Sequence, residues 1–471
     1  MSGSPKGRLV GLVLVAVAVS LAARYATAPK PTGESARAHE EGKGRKVPAT
    51  VSFADSIRVD AVPEPSAIAA FDSERVWSTF DDWEPAIAAD PTTSDIYQMT
   101  TRYDGPKPCN GCPLPAMIFR RSSDGGATWA PDQFMPVTKK KQNDPQIEVA
   151  TDHSLYVVWI DGYDPGIRFT RSTNRGATWS SPLLFTGRKK TPAWSDKPVL
   201  AISKNGQHVY IGFNASDAWV TASHNFGASF GPNVKTSNDT RYWFHTAGAV
   251  ADDGTVYFIT TDFTQDYTGD ANIRLVRSTD QGATWTTTPI DTSRELPPCA
   301  WAAGCYFGFF GSIAGLAVDS AGTVAVAYMA NSANGAPQQV WFRKSSDRGA
   351  TWTPRVSLSG QPTTVNHHSP AIAAGPTAGD FRALWQDDRN GANLAWNAWY
   401  RSTANGGTSW SAAQRLSNVA SGPPYKSAAG HRFPYGDYLE IAVDSAGVSQ
   451  AIWAEGASFT GPGGTWYSRG Q

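Results

Sequence analysis

Several short stretches of the sequence bring acids, phenols, imidazoles and guanidinium groups together, often beside glycine or proline. The densest is His431-Arg432-Phe433-Pro434-Tyr435-Gly436-Asp437-Tyr438. There a carboxylate stands next to a phenol, and Gly436 permits a tight approach just before them. Asp437 suits a general acid/base and Tyr438 a nucleophile, or the two together anchor sugar hydroxyls. Glu84, Asp144 and Ser369 each precede a proline at the start of an apolar run, and His367-His368 leads into the last of these. Adjacent strand residues point to opposite faces, so only one of the two histidines faces a given side. A His such as His368, paired with a Tyr, could abstract a proton from a uronate. Catalytic candidates are therefore Asp437, Tyr438, Glu84, Asp144 and His368. Arg102, in Arg102-Tyr103-Asp104, Arg389, in Asp387-Asp388-Arg389, and Arg432 are candidates to clamp a carboxylate, which a guanidinium matches bidentately. Trp83, Asp196, His245, Tyr435 and Asp388 complete the candidate ligand-binding set. Each residue also has a plainer reading, as a strand-end cap or a rim ion pair.

Other chemistries find no support. There is no HExxH, P-loop or GxSxG pattern and no zinc-type Cys/His spacing, so neither metal nor cofactor is expected. Lys+Arg and Asp+Glu are equal at 41 each, which gives nucleic acid no excess of charge to bind. At the N-terminus Lys6 and Arg8 precede the apolar run Leu9 to Ala23, followed by Ala26-Thr27-Ala28. That order reads as a signal peptide over residues 1–28, cleaved or kept as an N-terminal anchor. The protein is then extracellular or periplasmic, with no other membrane contact. Residues 29–49 read as a charged, flexible linker. Export makes two local cysteine pairs disulfide candidates, Cys109 with Cys112 and Cys299 with Cys305.

The elements that must position these groups are written in a repeat. Six segments share one pattern, beginning at Ser122, Ser172, Ser223, Ser278, Ser345 and Ser402. Ser122-Ser-Asp-Gly-Gly-Ala-Thr-Trp129 and Ser345-Ser-Asp-Arg-Gly-Ala-Thr-Trp352 show it clearly. Strand-like runs flank each copy, so the motif occupies a hairpin loop. The acid or amide at Asp124, Asn174, Asn225, Asp280 or Asp347 caps backbone N–H groups, and glycine takes the positive φ. The aromatic, Trp129, Trp179, Trp285 or Trp352, packs back on the sheet. Upstream of each copy lies a run of small residues such as Pro85-Ala-Ile-Ala-Ala89, suited to the crowded axis of a propeller. There are seven such runs against six motifs. The last repeat stops after its third strand, so a strand from Thr50 to Val59 is expected to close the ring.

The motif is the Asp-box, and the chain resembles the bacterial neuraminidase-repeat β-propellers of the sialidase-like superfamily over residues 50–471. The resemblance implies an all-β propeller of four-stranded blades. Seven blades are expected from the strand count, with six, the usual number in sialidases, as the alternative. It also implies that ligands bind on the face opposite the Asp-boxes. That face collects the blade-to-blade connections and the loops between second and third strands, where the candidates above fall. Retaining sialidases use a Tyr nucleophile, and the resemblance adds an activating Glu, an Asp acid/base and three Arg. The family's Arg-Ile-Pro stretch is missing from this chain, so none of its catalytic residues is carried over by motif. The leading expectation is an exported carbohydrate-active propeller, an exo-sialidase-like glycoside hydrolase acting on glycans. A non-catalytic module binding a glycan, glycoconjugate or surface protein is the alternative, and a polysaccharide lyase a further one.

Overall fold

An inner strand at a propeller axis meets its neighbours at close range on both sides, so its side chains must be small or flat. Seven strands take that place, mostly with Ala or Gly at their closest points: Asp82–Ala89, Gln142–Val149, Asp196–Ile202, Tyr242–Val250, Ala314–Val318, His367–Ala374 and Glu440–Val443. Gly315 shows how tight the fit is. A Cβ there would lie 3.0 Å from the Ile372 nitrogen of the next inner strand. Each inner strand begins a four-stranded antiparallel sheet, and the seven sheets form the blades of a β-propeller. The chain is described here from a computed structural model, over residues 71–78, 80–162, 166–185, 196–215, 217–264, 269–295, 313–360, 363–390, 397–417, 439–456 and 463–470. The signal and linker segments, the second cysteine pair, and Arg432, Tyr435, Asp437 and Tyr438 lie outside the described residues.

Blades pack through shared apolar clusters rather than a single core. Ala86, Met99 and Met117 of blade 1 meet Ile147, Val157 and Trp159 of blade 2. Ile87 and Ile118 of blade 1 meet Ile452 and Tyr467 of blade 7, which makes the ring continuous. Closure corrects one expectation. The edge of the last blade is covered by Arg75–Val76, whose residues pair with Tyr467 and Trp466, and by a bridge from Phe71 to Gly470. Thr50 to Val59 lies outside the described residues, and the position proposed for it is taken. Outer strands need only two paired residues here, as at Gln133–Phe134 and Val356–Ser357. A two-residue strand shows no alternation, and Arg75–Val76 lies only a few residues before the inner strand at Asp82.

The six recurrent turns are built alike. In the first, Ser122 Oγ donates to Asp124 Oδ1 at 2.7 Å and accepts from Gly126 N at 2.8 Å. Asp124 in turn accepts from Thr128 N and Thr128 Oγ1 at 2.8 and 2.6 Å. These donors hold the Asp124 carboxyl well below the usual carboxylate range, and the same contacts push Asp280 down to about 2. In the sixth copy Thr403, not Ser402, supplies the capping hydroxyl. The aromatic behaves differently from the expectation, packing largely on the preceding blade. Trp179 meets Phe119 at 5.2 Å, Phe230 meets Phe169 at 5.0 Å, and Trp410 meets Phe342 at 5.1 Å between ring centroids. A side chain at Gly176 would collide with that same Phe119 ring, so this glycine is required by contact as well as by its φ of 83°. The turns staple neighbouring blades together.

Candidate functional site

Proline shapes the mouth of the ring on the face away from the recurrent turns. The residue before a proline is sterically restricted, and an extra residue in one strand makes a bulge. In blades 1, 2 and 6 the inner strand slips register at Trp83/Ala86, Asn143/Gln146 and His368/Ala371. Within those slips Glu84, Asp144 and Ser369 take φ of 54°, 54° and 47°, a left-handed backbone that non-glycine residues enter at a cost of about 1–3 kcal/mol. All three are buried. The same device thus fixes a polar residue at the top of three inner strands.

At the junction of blades 1 and 2 the device assembles a connected cluster. Glu84 Oε1 accepts from the phenol of Tyr103 at 3.2 Å, and Glu84 Oε2 accepts from Asp144 N at 3.1 Å. Asn143 Nδ2 donates to the Tyr103 oxygen at 2.6 Å. Trp83 meets the Tyr103 ring edge-on at 5.7 Å and gives its own N–H to Asp81 at 2.9 Å. Glu84 is fully buried while Tyr103 is half-buried, so Tyr103 is the more exposed of the two. A carboxylate that accepts the phenolic proton, with an amide donating to the same oxygen, raises the nucleophilicity of that oxygen and steadies it as charge develops.

The other candidates are held in contacts of their own. Arg102 is buried against Asp82 at 2.8 Å and Asp132 at 2.7 Å. Arg389 pairs with Asp387 at 2.6 Å, donates to Ser359 O at 3.0 Å and lies 4.1 Å over the Trp399 ring. Asp388 accepts from Asn366 N and Nδ2 at 2.9 and 3.1 Å, and burial, with Asp387 beside it, pushes it up to about 6. His245 is bonded through Nδ1 to Thr260 at 2.8 Å and through Nε2 to Thr236 at 3.3 Å, and burial pushes it down to about 3. His367 bonds Gln338 O at 2.8 Å, and burial lowers it too. His368 is buried and bonds Ser369 Oγ. Asp196 opens the inner strand of blade 3. Cys109 and Cys112 form a disulfide in the loop between the second and third strands of blade 1.

Two acids went unnoticed in the sequence. Below the mouth the seven inner strands enclose an axial cavity of about 180 Å³, with Ile87, Glu148, Leu200, Gly248 and Glu440 among its lining. Glu440 accepts from Ile87 N at 2.7 Å and Gln146 Nε2 at 2.8 Å, and burial pushes it up to about 7. Glu148 lines this cavity. Burial, and then Glu440, push it up to about 8. The signal for Glu148 was a carboxylate where every other inner strand carries Ala, and for Glu440 one where the others carry Ala, Gly, Gln or Val. The cavity is smaller than the roughly 300–1,000 Å³ of a ligand pocket.

No protein-family model and no curated protein sequence matches the chain. Solved structures do. A protein of unknown function from Dyadobacter fermentans is 13% identical at TM-score 0.51, over 86% of this chain and 100% of that one. An ulvan lyase, a polysaccharide lyase bound to -[GlcA(1-4)Rha3S]-, is 10% identical at TM-score 0.52, over 83% and 94%. The Hadza microbial sialidase Hz136 is 13% identical at TM-score 0.46, over 76% and 74%. The likeness is one of fold.

Proposed function

We propose that the protein is an exported carbohydrate-active propeller of the sialidase-like superfamily, its six recurrent turns being Asp-boxes, and that it hydrolyses a glycoside at the mouth over blades 1 and 2. The hydrogen bond from Tyr103 to buried Glu84 carries this reading. Tyr103 is the nucleophile, Glu84 takes its proton, and Asp144, tied to Glu84 through its backbone, is the acid/base on the leaving oxygen. A phenol in place of a carboxylate nucleophile suits an anionic sugar, since a neutral attacking group is not repelled by the substrate's charge. Trp83 backs the phenol and holds its angle. With Arg102 and Arg389 committed to internal carboxylates, recognition of the sugar carboxylate falls to other groups.

The test is a substrate screen on the purified chain without residues 1–28. Aryl sialosides, aryl uronides and neutral aryl glycosides report hydrolysis, and uronate polysaccharides followed by ultraviolet absorbance report an unsaturated lyase product. Hydrolytic turnover that falls in Tyr103→Phe supports the proposal. Lyase product instead would reassign Tyr103 and Glu84 to proton transfer. Glycan binding without any turnover would make the protein a binding module.

A further inference from the structure

We propose that His208 and His224, on the face opposite the mouth, form a binding site for a divalent transition-metal ion of the copper(II) class. In blade 3 the second strand begins at Val209, the third ends at Ser223, and those two residues are paired. The next residue out on each strand is a histidine, so the two imidazoles face each other across the ladder. Their Nδ1 atoms are 2.9 Å apart, with ring centroids at 5.1 Å.

Both backbones are fixed independently of the rings. Ser203 N donates to His208 O at 2.9 Å and His208 N donates to Ser203 Oγ at 2.9 Å. Phe226 N donates to Gln207 O at 3.0 Å and so stitches the turn to the loop. The Tyr210 ring meets His224 edge-on at 6.2 Å. The donors are thus held in place, which lowers the ordering cost of binding.

The repeat shows that neither turn nor loop needs an imidazole there. The equivalent cross-strand pairs are Asp95 with Ser123, Ser154 with Thr173, Thr255 with Thr279, Thr323 with Ser346, and Asp380 with Ala404. Blade 3 alone among these six places histidine at both positions.

The spacing selects the ion. With metal–nitrogen bonds of about 2.0–2.1 Å, two nitrogens 2.9 Å apart subtend an angle of about 90° at the ion. That is a cis pair on a square-planar or tetragonal ion, the geometry of copper(II) and nickel(II). A tetrahedral zinc site would place them about 3.3–3.4 Å apart. Between copper and nickel, nitrogen donors favour copper. Among the described residues no group of three or more His, Cys, Asp or Glu gathers at ligand spacing, so water completes the set.

The experiment titrates the chelator-stripped chain with copper(II) alone, by calorimetry and electron paramagnetic resonance. It is repeated on His208→Thr, His224→Thr and the double variant, which install the Thr255–Thr279 pair of blade 4 and so keep a side chain this fold already accepts. The double variant retains every other histidine and the terminal amine, so the difference isolates this pair. Equal melting temperatures in chelator confirm that the variants fold. The expected result is one extra equivalent in the wild type with hyperfine structure from two nitrogens, affinity falling about tenfold or more in either single variant, and a copper-dependent rise in melting temperature in the wild type only. Identical stoichiometry and affinity in the double variant, or a wild-type spectrum no different from it, would overturn the site.

Discussion

Tyr103 and Arg102 are neighbours in sequence but meet different carboxylates, Glu84 and Asp82. Arg102 looks like a substrate clamp because guanidinium suits carboxylates, yet the carboxylates it meets are the protein's own Asp82 and Asp132. Its ordinary register partner across the strand is Asp82 itself. Arg102→Met should therefore destabilise the fold by about 3–5 kcal/mol, because buried Asp82 loses the charge that compensates it, while Asp132 keeps Arg120. Denaturant unfolding measures this, and a loss under 1 kcal/mol would return Arg102 to the ligand. Tyr103 stood in a stretch noted for its polarity, but nothing local marked it as the partner of Glu84. The two are 19 residues apart, and only the strand register brings them together. Glu84 and Asp144 were legible from the proline that follows each of them, although the left-handed backbone was not.

Strands and turns were the most readable scale. The motif at Ser122 to Trp129 announced a capped hairpin, and its hydrogen bonds follow the residue types directly. What the motif did not reveal was direction, since packing on the preceding blade depends on how sheets stack. Asp347→Ala removes the acceptor for Ser345, Thr351 N and Thr351 Oγ1 and should lower the melting temperature with turnover per folded molecule intact. The effect has a pH window. Asp347 is held below its ordinary value of 3.8 in the fold, so its stabilising contribution is complete above about that pH and is lost as pH falls below it. Scanning calorimetry on both proteins at neutral and acid pH should show the gap closing in acid. The closing strand escaped sequence reading because a two-residue pairing carries no periodicity. Removing residues 1–70 should leave a soluble ring, whereas removal through Trp77 uncovers the Tyr467 edge and should cause aggregation. Light scattering distinguishes the two, and equal solubility would argue against this closure.

The whole molecule is a ring of seven blades around an axial cavity. Its axis holds Glu148 and Glu440, pushed up to about 8 and about 7 from an ordinary 4.5. The folded state then keeps protons that the unfolded chain releases, so these acids cost stability progressively as pH rises from about 4.5 to about 8. Glu148→Gln should match the wild type near the lower limit and exceed it in melting temperature toward the upper one. A constant difference across that range would mean that Glu148 ionises normally. Blade number was legible because seven small-residue runs are visible along the chain, and the axial acids were hidden within those same runs. On the proposed reading, a seven-bladed scaffold presents one reactive phenol, Tyr103, at its mouth. Comparing Tyr103→Phe with the wild type on a hydrolysed glycoside tests it most directly, since only the hydroxyl changes. In Tyr103→Phe, kcat/KM per folded molecule should fall about 100-fold or more, and the melting temperature should drop modestly because Glu84 and Asn143 each lose a partner. Turnover per folded molecule within a fewfold of wild type would contradict it.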